Sequence, residues 1–376
     1  MEFSFTDEQQ MLLDTTRRLL TEQYGFERRQ QILGSSAGYS DEIWARFADL
    51  GLLGLNVPAE HGGIEAGPIG TLLVSIALGE ALVVEPFLSS AVLATRAIAK
   101  LGSPAQQAEF LPRLAIGELI CVLAHDEEST RCGATGITAK ATPCRNGWSL
   151  SGHKTVIYHA PIADLLLVSA VIGDASAGEW GLFAVPRASA GLELQIFTTV
   201  DGQRAADLIL REIKVPVTSR LGENVASELP KVLDYGLAAL CAESVGALDK
   251  LLSATIEYSR TRVQFGVPIA RFQALQHRMA DMLTHIEQAR SMAYLAASHC
   301  EEEHQGERER SLSAAKVILG QAARFVGQQA VQLHGGMGVS DEFCVSHYFK
   351  RLLASELRFG STDAHLGRYA SSLMSC

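Results

Sequence analysis

The 376-residue sequence lacks the features of several common protein classes. Lys and Arg number 32 against 42 Asp and Glu, a net charge of −10, so a basic face for duplex DNA or RNA is not expected. Its seven cysteines, at positions 121, 132, 144, 241, 300, 344 and 376, form no CxxC pair, which argues against a zinc knuckle or a thioredoxin-type motif. No apolar run approaches the roughly 18 residues that span a bilayer, so we expect no membrane partner.

The cysteine pattern and the N-terminus also predict where the protein works. An odd number of scattered cysteines fits a reducing compartment, and the first residues lack the basic and apolar regions of a secretion signal. We therefore expect a cytoplasmic protein. With 47% hydrophobic and 20% charged residues, the chain has an ordinary globular composition, and its length allows two or three domains.

The spacing of apolar residues changes twice along the chain. Residues 1–118 show helical spacing, and Thr6 with Gln9 forms a capping-box pattern before the first helix. Residues 119–224 contain short apolar or alternating runs without crossover helices, and residues 225–376 return to long helical segments. The sequence therefore predicts a mainly α, α+β chain with an N-terminal helical domain, a central antiparallel β-barrel or sandwich, and a C-terminal four-helix bundle.

A turn between two predicted bundle helices holds residue types that bind phosphates and aromatic rings. Arg262 at a helix end offers a guanidinium that can fork onto a phosphate, Phe265 offers a ring, and Gly266 lets a ligand approach the backbone. A plain helical corner with a surface arginine explains the same residues, so composition alone leaves both interpretations open.

A glycine-rich turn, Gln332-Leu333-His334-Gly335-Gly336-Met337-Gly338, follows the third predicted bundle helix. Its amide groups can cradle a pyrophosphate, although a helix C-cap followed by a flexible turn is the commoner use of such glycines. A single Glu-x-x-His, at Glu301–His304, lies in a charged run, whereas a di-metal bundle needs two copies, so we expect no metal.

These turns and their order resemble the acyl-CoA dehydrogenase family of flavoproteins, and the resemblance covers nearly the whole chain. The motifs are the early loop Gly54–Gly63, the segment Leu101–Glu118, Arg262…Phe265-Gly266 with Phe272-Gln273 and Ala280–Met282, and Gln332…Gly335-Gly336…Gly338. More narrowly, residues 263–277 resemble the small subunit of pimeloyl-CoA dehydrogenase-like enzymes. The family implies FAD-dependent α,β-desaturation of an acyl-CoA thioester, in which a carboxylate removes the α proton and the flavin accepts the β hydride.

The resemblance also implies which residues would contact cofactor and substrate. FAD would be contacted from one protomer by Arg262, Phe265 and Gln273, and its ADP part would be held in the neighbour's site by Gln332, Leu333, Gly335 and Gly336. The remaining expected FAD contacts are Ser361, Asp363 and Tyr158, and the expected substrate contact is Asp234. Sharing a flavin site between chains implies a homo- or hetero-oligomer, either a dimer or a dimer of dimers.

Both positions that carry the family's catalytic base hold other residues. The usual Glu before a Gly-Ser or Gly-Thr pair is replaced by Phe359, and the alternative Glu early in the first bundle helix is replaced by Gly236. Leu237 stands where an Arg would join Asp234 in adenine recognition. Glu243, two turns after Gly236 in an apolar stretch, is either a relocated base or a structural ion-pair partner, and a displacement of ~10 Å along the helix favours the structural role.

The flavin-facing segments of the central domain depart from the family pattern as well. Asp126-Glu127-Glu128-Ser129-Thr130-Arg131 replaces a pattern that begins Thr-Glu-Pro, and an ionised Asp126 cannot donate the hydrogen bond that a Thr would. The segment Lys154–Tyr158 lacks the family's Trp-Ile-Thr, although Tyr158 still offers a hydroxyl to the flavin.

These departures lead to one main hypothesis and two alternatives. The main hypothesis is an FAD-dependent acyl-CoA dehydrogenase that works as one chain of a hetero-oligomer and whose own base is uncertain. The first alternative is a non-catalytic subunit that completes the flavin site of a homologous chain. The second is a helical scaffold or nucleic-acid binder on the same fold, which the net charge of −10 disfavours.

Overall fold

The computed structural model describes residues 5–128, 136–173 and 179–374, which form two compact units. The helical unit comprises the described parts of Met1–Gln30, Pro68–Val83 and Leu237–Cys376. The sheet unit comprises those of Gln31–Gly67 and Val84–Gly236. The domain boundaries expected at 118/119 and 224/225 stay a prediction. They mark where the spacing of apolar residues changes along the sequence, whereas each compact unit is built from separate stretches of chain.

Eleven α-helices occur in the described part of the chain. In chain order they are α1 Asp7–Gln23, α2 Phe26–Gly34, α3 Asp41–Asp49, α4 Gly67–Glu80, α5 Thr95–Leu101, α6 Pro104–Ala115, α7 Val225–Thr261, α8 Gln273–His299, α9 Gln305–His334, α10 Cys344–Leu357 and α11 Thr362–Met374. A π-helical segment, Phe87–Ala94, precedes α5. The predicted capping box at Thr6 and Gln9 is confirmed at the start of α1.

The sheet unit contains eight strands. They are β1 Cys121–Ala124, β2 Lys140–Cys144, β3 Gly147–Tyr158, β4 Leu165–Ile172, β5 Glu179–Pro186, β6 Leu192–Thr198, β7 Arg204–Pro216 and β8 Arg220–Leu221. Along the sheet the order is β6-β7-β3-β2-β4-β5-β8, with β1 paired to β4. The hairpin predicted at Arg145-Asn146-Gly147 is confirmed, because β2 and β3 pair in antiparallel fashion around that turn.

Strand direction differs in one respect from the expected antiparallel arrangement. β4 is parallel to both β1 and β2, while the other pairs are antiparallel. The chain reverses once between β2 and β3 and again before β4, so β4 runs in the direction of β2. β4 is buried along nearly its whole length, as expected of a strand covered on both faces. The predicted fold class is confirmed, with a mixed central sheet.

Close backbone contacts define the core of the helical unit. A Cβ built on Gly79 of α4 would lie 1.8 Å from the Glu243 carbonyl oxygen of α7, and one on Gly246 would lie 2.0 Å from the Ile76 carbonyl oxygen. Only glycine permits such an approach, so α4 and α7 touch through their backbones. α9 packs against α8, α10 and α11, which gives the helical bundle that the sequence predicts.

Two further features of the described residues bear on the expectations above. The five cysteines among them, at positions 121, 144, 241, 300 and 344, are all free thiols. None of the helices seen in the described ranges is long and apolar enough to cross a membrane. The cytoplasmic location stays a prediction.

Candidate functional site

An aromatic side chain stands at the tip of the corner between α7 and α8. The chain turns through a short hairpin, β9 Val263–Gln264 and β10 Val267–Pro268. Phe265 and Gly266 at its tip have φ angles of 55° and 80°, the left-handed pair that a type I′ turn requires. The Phe265 ring lies edge-on to Phe272 at 6.0 Å and is 91% exposed. The hairpin therefore presents this ring to solvent.

Arg262 and Gln273 flank the hairpin, and both are exposed. The backbone of Arg262 is held on both sides, because its N–H donates to the Tyr258 carbonyl at 2.8 Å and its carbonyl accepts from the Ile269 N–H at 2.9 Å. The structure thus places the predicted Arg262, Phe265 and Gln273 on one corner, with an ordered backbone and an exposed guanidinium.

The glycine turn at the end of α9 is also open. Gln332, Gly335 and Gly336 are exposed, and Gly335 leaves the helix with a φ of 61°. A Cβ on Gly335 or Gly336 would meet none of the described atoms within 4 Å. A ligand can therefore approach these amides closely. Leu333 differs, because its side chain is in the core at 7% exposure and its backbone alone can face a ligand.

Tyr258 joins the corner to the glycine turn. Its ring stacks on His334 at a centroid distance of 4.4 Å, and its hydroxyl donates to the His334 carbonyl at 3.4 Å. Because Tyr258 lies one helical turn before Arg262, both features share one end of the helical unit. We call the exposed residues of these two segments that suit a ligand the open end: Arg262, Phe265, Gly266, Gln273, Gln332, Gly335 and Gly336.

A second left-handed turn connects α10 to α11. In this segment, Arg358–Ser361, Phe359 and Gly360 have φ angles of 58° and 101°. Phe359 is half-buried. The Ser361 hydroxyl accepts from the Ala364 N–H at 3.3 Å and so begins α11, whose Asp363 is exposed. We call Arg358–Ser361 the anchored turn, for the contacts described next.

Buried side chains bind the carbonyl groups of the anchored turn. The Lys316 ammonium donates to the carbonyls of Ser355 and Arg358, at 2.5 and 2.9 Å, and His365 Nε2 donates to the Phe359 carbonyl at 2.8 Å. Burial lowers the pKa of Lys316 to about 8 and that of His365 to about 4. The turn is therefore fixed through its backbone, whatever side chain residue 359 carries.

Glu243 lies in an ion pair. Its carboxylate is 2.5 Å from the Arg351 guanidinium of α10, and the two side chains are 14% and 3% exposed. Both terminal nitrogens of Arg351 also donate to the Val83 carbonyl at 3.1 Å. A carboxylate among apolar residues needs such a partner. The geometry supports the structural interpretation of Glu243, and its expected role as a weak candidate base stays a prediction.

Three expected site residues belong to the sheet unit instead. Asp234 is buried at 6% exposure, and Gly236 is buried on the same helix, α7. Next to Asp234, the Tyr235 ring carries the Arg96 guanidinium 3.6 Å from its centroid. Tyr158 is half-buried at the end of β3. Their roles toward FAD and substrate remain predictions.

A buried ion pair in the sheet unit went unnoticed in the sequence. The Lys154 ammonium is 2.6 Å from Glu127, and both side chains are at most 2% exposed. Burial raises the pKa of Glu127, but Lys154 and the hydrogen bonds from Lys154 and Thr138 outweigh that effect, so its pKa is lowered overall. Asp126 of the same segment is exposed, and Ser129–Arg131 lie outside the described residues. The sequence does contain one indication of this pair, because Lys154 is the single lysine in the alternating sequence of β3 and a buried lysine needs a partner.

Comparison with known proteins agrees with this architecture. Residues 6–118 match the family model for the acyl-CoA dehydrogenase N-terminal domain, and residues 229–374 match that for the C-terminal domain. Acyl-CoA dehydrogenase FadE27 of Mycobacterium tuberculosis (strain ATCC 25618 / H37Rv) is 30% identical over 342 residues, which cover 89% of this chain and 88% of the relative.

Solved structures show the same fold along the whole chain. A chain of the ChsE4-ChsE5 complex from Mycobacterium tuberculosis has a TM-score of 0.90 at 28% identity, covering 100% of both chains. The structure of PigA with FAD and proline has a TM-score of 0.89 at 25% identity, covering 100% of this chain and 99% of PigA. The chain therefore belongs to the acyl-CoA dehydrogenase family of oxidoreductases, as its motifs indicate.

Proposed function

We propose that this chain is one subunit of an FAD-dependent acyl-CoA dehydrogenase and that its open end completes a flavin site shared with a related chain. The exposed state of the open end carries this proposal. A 91% exposed phenylalanine on an ordered hairpin, beside an exposed arginine and two uncovered glycines, is typical of a surface that a ligand or neighbour covers.

The residues of the open end suit a dinucleotide. The Arg262 guanidinium can form paired hydrogen bonds with a phosphate, and the amides of Gly335 and Gly336 can bind pyrophosphate oxygens. The amides of Gln273 and Gln332 add neutral hydrogen-bonding groups, and Phe265 offers a ring face. When bound, FAD supplies the acceptor for the β hydride of the acyl group. PigA, a structural relative, is known in complex with FAD.

The positions of the family's bases explain why we propose a second, related chain. Phe359 cannot accept a proton, and Gly236 has no side chain to do so. Glu243 is engaged with Arg351 and the backbone packing of α4 against α7. We infer that a carboxylate of a homologous subunit removes the α proton, in a dimer or a dimer of dimers. A chain with this fold also occurs in the ChsE4-ChsE5 complex.

The visible absorption spectrum tests the proposal directly. The chain is purified alone and after co-expression with a homologous acyl-CoA dehydrogenase chain that retains the Glu, each with added FAD. We expect bound flavin in the co-expressed complex and bleaching of its absorbance when acyl-CoA is added without oxygen. A complex that stays colourless after FAD addition would overturn the proposal.

A matched pair of arginine variants locates the flavin contact. Arg262→Ala removes the proposed phosphate ligand, and Arg271→Ala removes an exposed arginine from the same corner. Because hydrogen bonds to charged groups contribute about 1.5–3 kcal/mol, we expect FAD to bind roughly 10- to 100-fold more weakly to Arg262→Ala. Arg271→Ala should bind FAD normally, and both variants should keep the parent Tm. Equal weakening by both changes would contradict a specific role for Arg262.

A non-catalytic subunit is the second candidate function. The replacement of both base positions by Phe359 and Gly236 favours it. Both hypotheses require the Glu of the partner for turnover. On this one the chain contributes only to the flavin site of the partner and binds no acyl group, so the complex should bind acyl-CoA only in the number of its partner chains. Desaturation of acyl-CoA by this chain alone would exclude it.

A further inference from the structure

A fully buried lysine touches the turn that holds residue 359. Lys316 of α9 is 0% exposed, and its ammonium donates to the carbonyls of Ser355 and Arg358. Ser355 lies in the last turn of α10, where carbonyls lack partners within the helix and where a cation is electrostatically favoured. A buried ammonium needs such acceptors. Lys316 therefore closes the end of α10 and fixes the peptide that leads into residue 359.

A histidine holds the next peptide of the turn. His365 Nε2 donates to the Phe359 carbonyl at 2.8 Å, which leaves Nδ1 to accept from the Ser313 hydroxyl at 3.2 Å. Ser313, Lys316 and Gly320 have the i, i+3, i+7 spacing of one face of α9. A Cβ on Gly320 would lie 2.0 Å from the Thr362 hydroxyl oxygen, so this face of α9 sits directly against the start of α11.

The backbone conformation at residue 359 depends on these contacts. A bulky residue at positive φ is disfavoured and persists where surrounding structure holds it. The carbonyls of Arg358 and Phe359 are each bound by a buried donor, so the peptide planes on both sides of the Phe359 Cα are fixed. None of these bonds involves the Phe359 side chain. The direction in which residue 359 leaves the backbone is therefore set independently of its chemistry.

We propose that Lys316 and His365 are positioning residues for residue 359, which hold the turn so that the side chain at this position faces the acyl group. The inference rests on the proposed function and on the family resemblance, which implies that residue 359 stands where the usual catalytic base would contact the acyl group. It adds that this chain holds the position of the family's base in a fixed turn although a phenyl ring stands there. Phe359 then acts as an apolar wall of the acyl site rather than as a proton acceptor.

Fluorine NMR at residue 359 tests the positioning role without requiring flavin or substrate. The chain has 14 Phe, so 4-fluorophenylalanine is placed at 359 alone by stop-codon suppression. The titratable and charged groups around Lys316 and His365 are Cys241 of α7, Glu356 of α10, Arg358 of the anchored turn, and Arg368 of α11. Arg324 of α9 pairs with Glu356. Of these groups, His365 titrates near pH 4 and Cys241 near pH 12.

We expect one sharp resonance that titrates with a midpoint near pH 8. In Lys316→Met, which keeps an unbranched apolar stem but removes the donor, that titration should vanish and the resonance should shift and broaden. Lys316→Gln, which restores an N–H donor without a titrating group, should recover the line shape but not the titration. An unchanged resonance in Lys316→Met would overturn the proposal. If that variant does not fold, several or broadened resonances in the parent chain would overturn it equally, because the turn would then not be held in one conformation.

A second titration separates this inference from the proposed function. Butyryl-CoA is added to the labelled, FAD-loaded complex at pH 7. A shift of the fluorine resonance supports the placement of residue 359 at the acyl site. The resonance could change in the Lys316 variants and yet not shift when butyryl-CoA is added, although butyryl-CoA bleaches the flavin. That result would overturn the acyl-facing part of the inference. Failure of flavin binding would overturn the proposed function and leave the pH titration readable.

Discussion

The open end and the anchored turn contain the same unusual dipeptide in two different settings. Phe265-Gly266 and Phe359-Gly360 both have positive φ at each residue, with 55° and 80° in the first pair and 58° and 101° in the second. In the open end the strain belongs to a type I′ hairpin, which requires that conformation. In the anchored turn buried donors hold it from the inside.

The two regions differ in which of their groups are exposed to another molecule. The open end fixes its own backbone and leaves a ring, a guanidinium and two amides facing outward. In the anchored turn, the carbonyls of Arg358 and Phe359 accept hydrogen bonds from Lys316 and His365, and the Phe359 ring is half-buried. A surface built for another molecule should therefore tolerate substitution without loss of stability, and a turn fixed by buried partners should not.

Breaking the ion pair that holds α10 should have the largest effect. Glu243→Ala leaves the Arg351 guanidinium, 3% exposed, without its carboxylate. Removing one partner of a buried pair destabilises proteins by 3–5 kcal/mol, and the 14% exposure of Glu243 places this change at about 3 kcal/mol. Thermal unfolding measures it. The double change Glu243→Met with Arg351→Met should be less damaging than Glu243→Ala, and an unchanged Tm in Glu243→Ala would contradict the pairing.

Glu243→Gln tests whether the Glu243 carboxylate takes part in the reaction. The amide keeps the size and an oxygen acceptor for Arg351 but cannot act as a base. On the structural interpretation, desaturation by the assembled complex falls no more than a few-fold. A loss of several orders of magnitude, with Tm maintained, would instead make Glu243 the base.

Acid should weaken the anchored turn through His365. Burial lowers its pKa from 6.5 to about 4, so as pH falls below 6.5 the unfolded chain takes up a proton before the folded chain does. The stability associated with neutral His365 is therefore present above pH 6.5 and is lost progressively toward pH 4, by about 2–3 kcal/mol between pH 7.5 and 4.5.

His365→Gln, whose amide nitrogen takes the position of the histidine Nε2, provides the comparison for this acid effect. Its amide can still donate to the Phe359 carbonyl but does not titrate. We expect the variant to lose less Tm than the parent chain between pH 7.5 and 4.5. The same pH dependence in both proteins would show that the acid sensitivity arises elsewhere.

Adding a methyl group at one glycine of each region compares the two directly. Gly320→Ala forces a Cβ to within 2.0 Å of the Thr362 hydroxyl oxygen, whereas Gly336→Ala meets none of the described atoms within 4 Å. Overpacking of this kind costs about 1–3 kcal/mol, so Gly320→Ala should lower Tm by several degrees and Gly336→Ala by little. In an FAD titration the order should reverse, with Gly336→Ala the weaker binder. Equal Tm values for Gly320→Ala and Gly336→Ala would contradict the proposed difference in packing between the anchored turn and the open end.

Local chemistry made the open end predictable, and long-range pairing made the anchored turn unpredictable. A glycine turn after a helix and a charged corner with an aromatic can be recognised within a few residues. Lys316 and Ser355 are 39 residues apart, and Glu243 and Arg351 are 108 apart. A lone charge in an apolar helix indicates that a partner exists, but periodicity does not identify it.

The fold shows the same division. Capping residues and a two-residue hairpin act over three or four positions, so Thr6 with Gln9 and the turn after Cys144 could be predicted. The parallel pairing of β4 with β1 and β2, and the assembly of each compact unit from separate stretches of chain, depend on contacts between distant segments. The apolar pattern along the sequence does not contain that information.

The smallest expected effect comes from relieving the strain in each Phe-Gly pair. Asn tolerates the left-handed region better than Phe, so Phe265→Asn and Phe359→Asn gain similar backbone relief, up to about 1 kcal/mol. Phe265, 91% exposed, gives up little packing, and its variant should match or slightly exceed the parent Tm. Phe359 is half-buried, so its variant should be less stable than Phe265→Asn by about 1 kcal/mol. Should Phe265→Asn prove the less stable of the two, its ring would have to be packed within the chain, and it would then not be free to contact a flavin held by a neighbour.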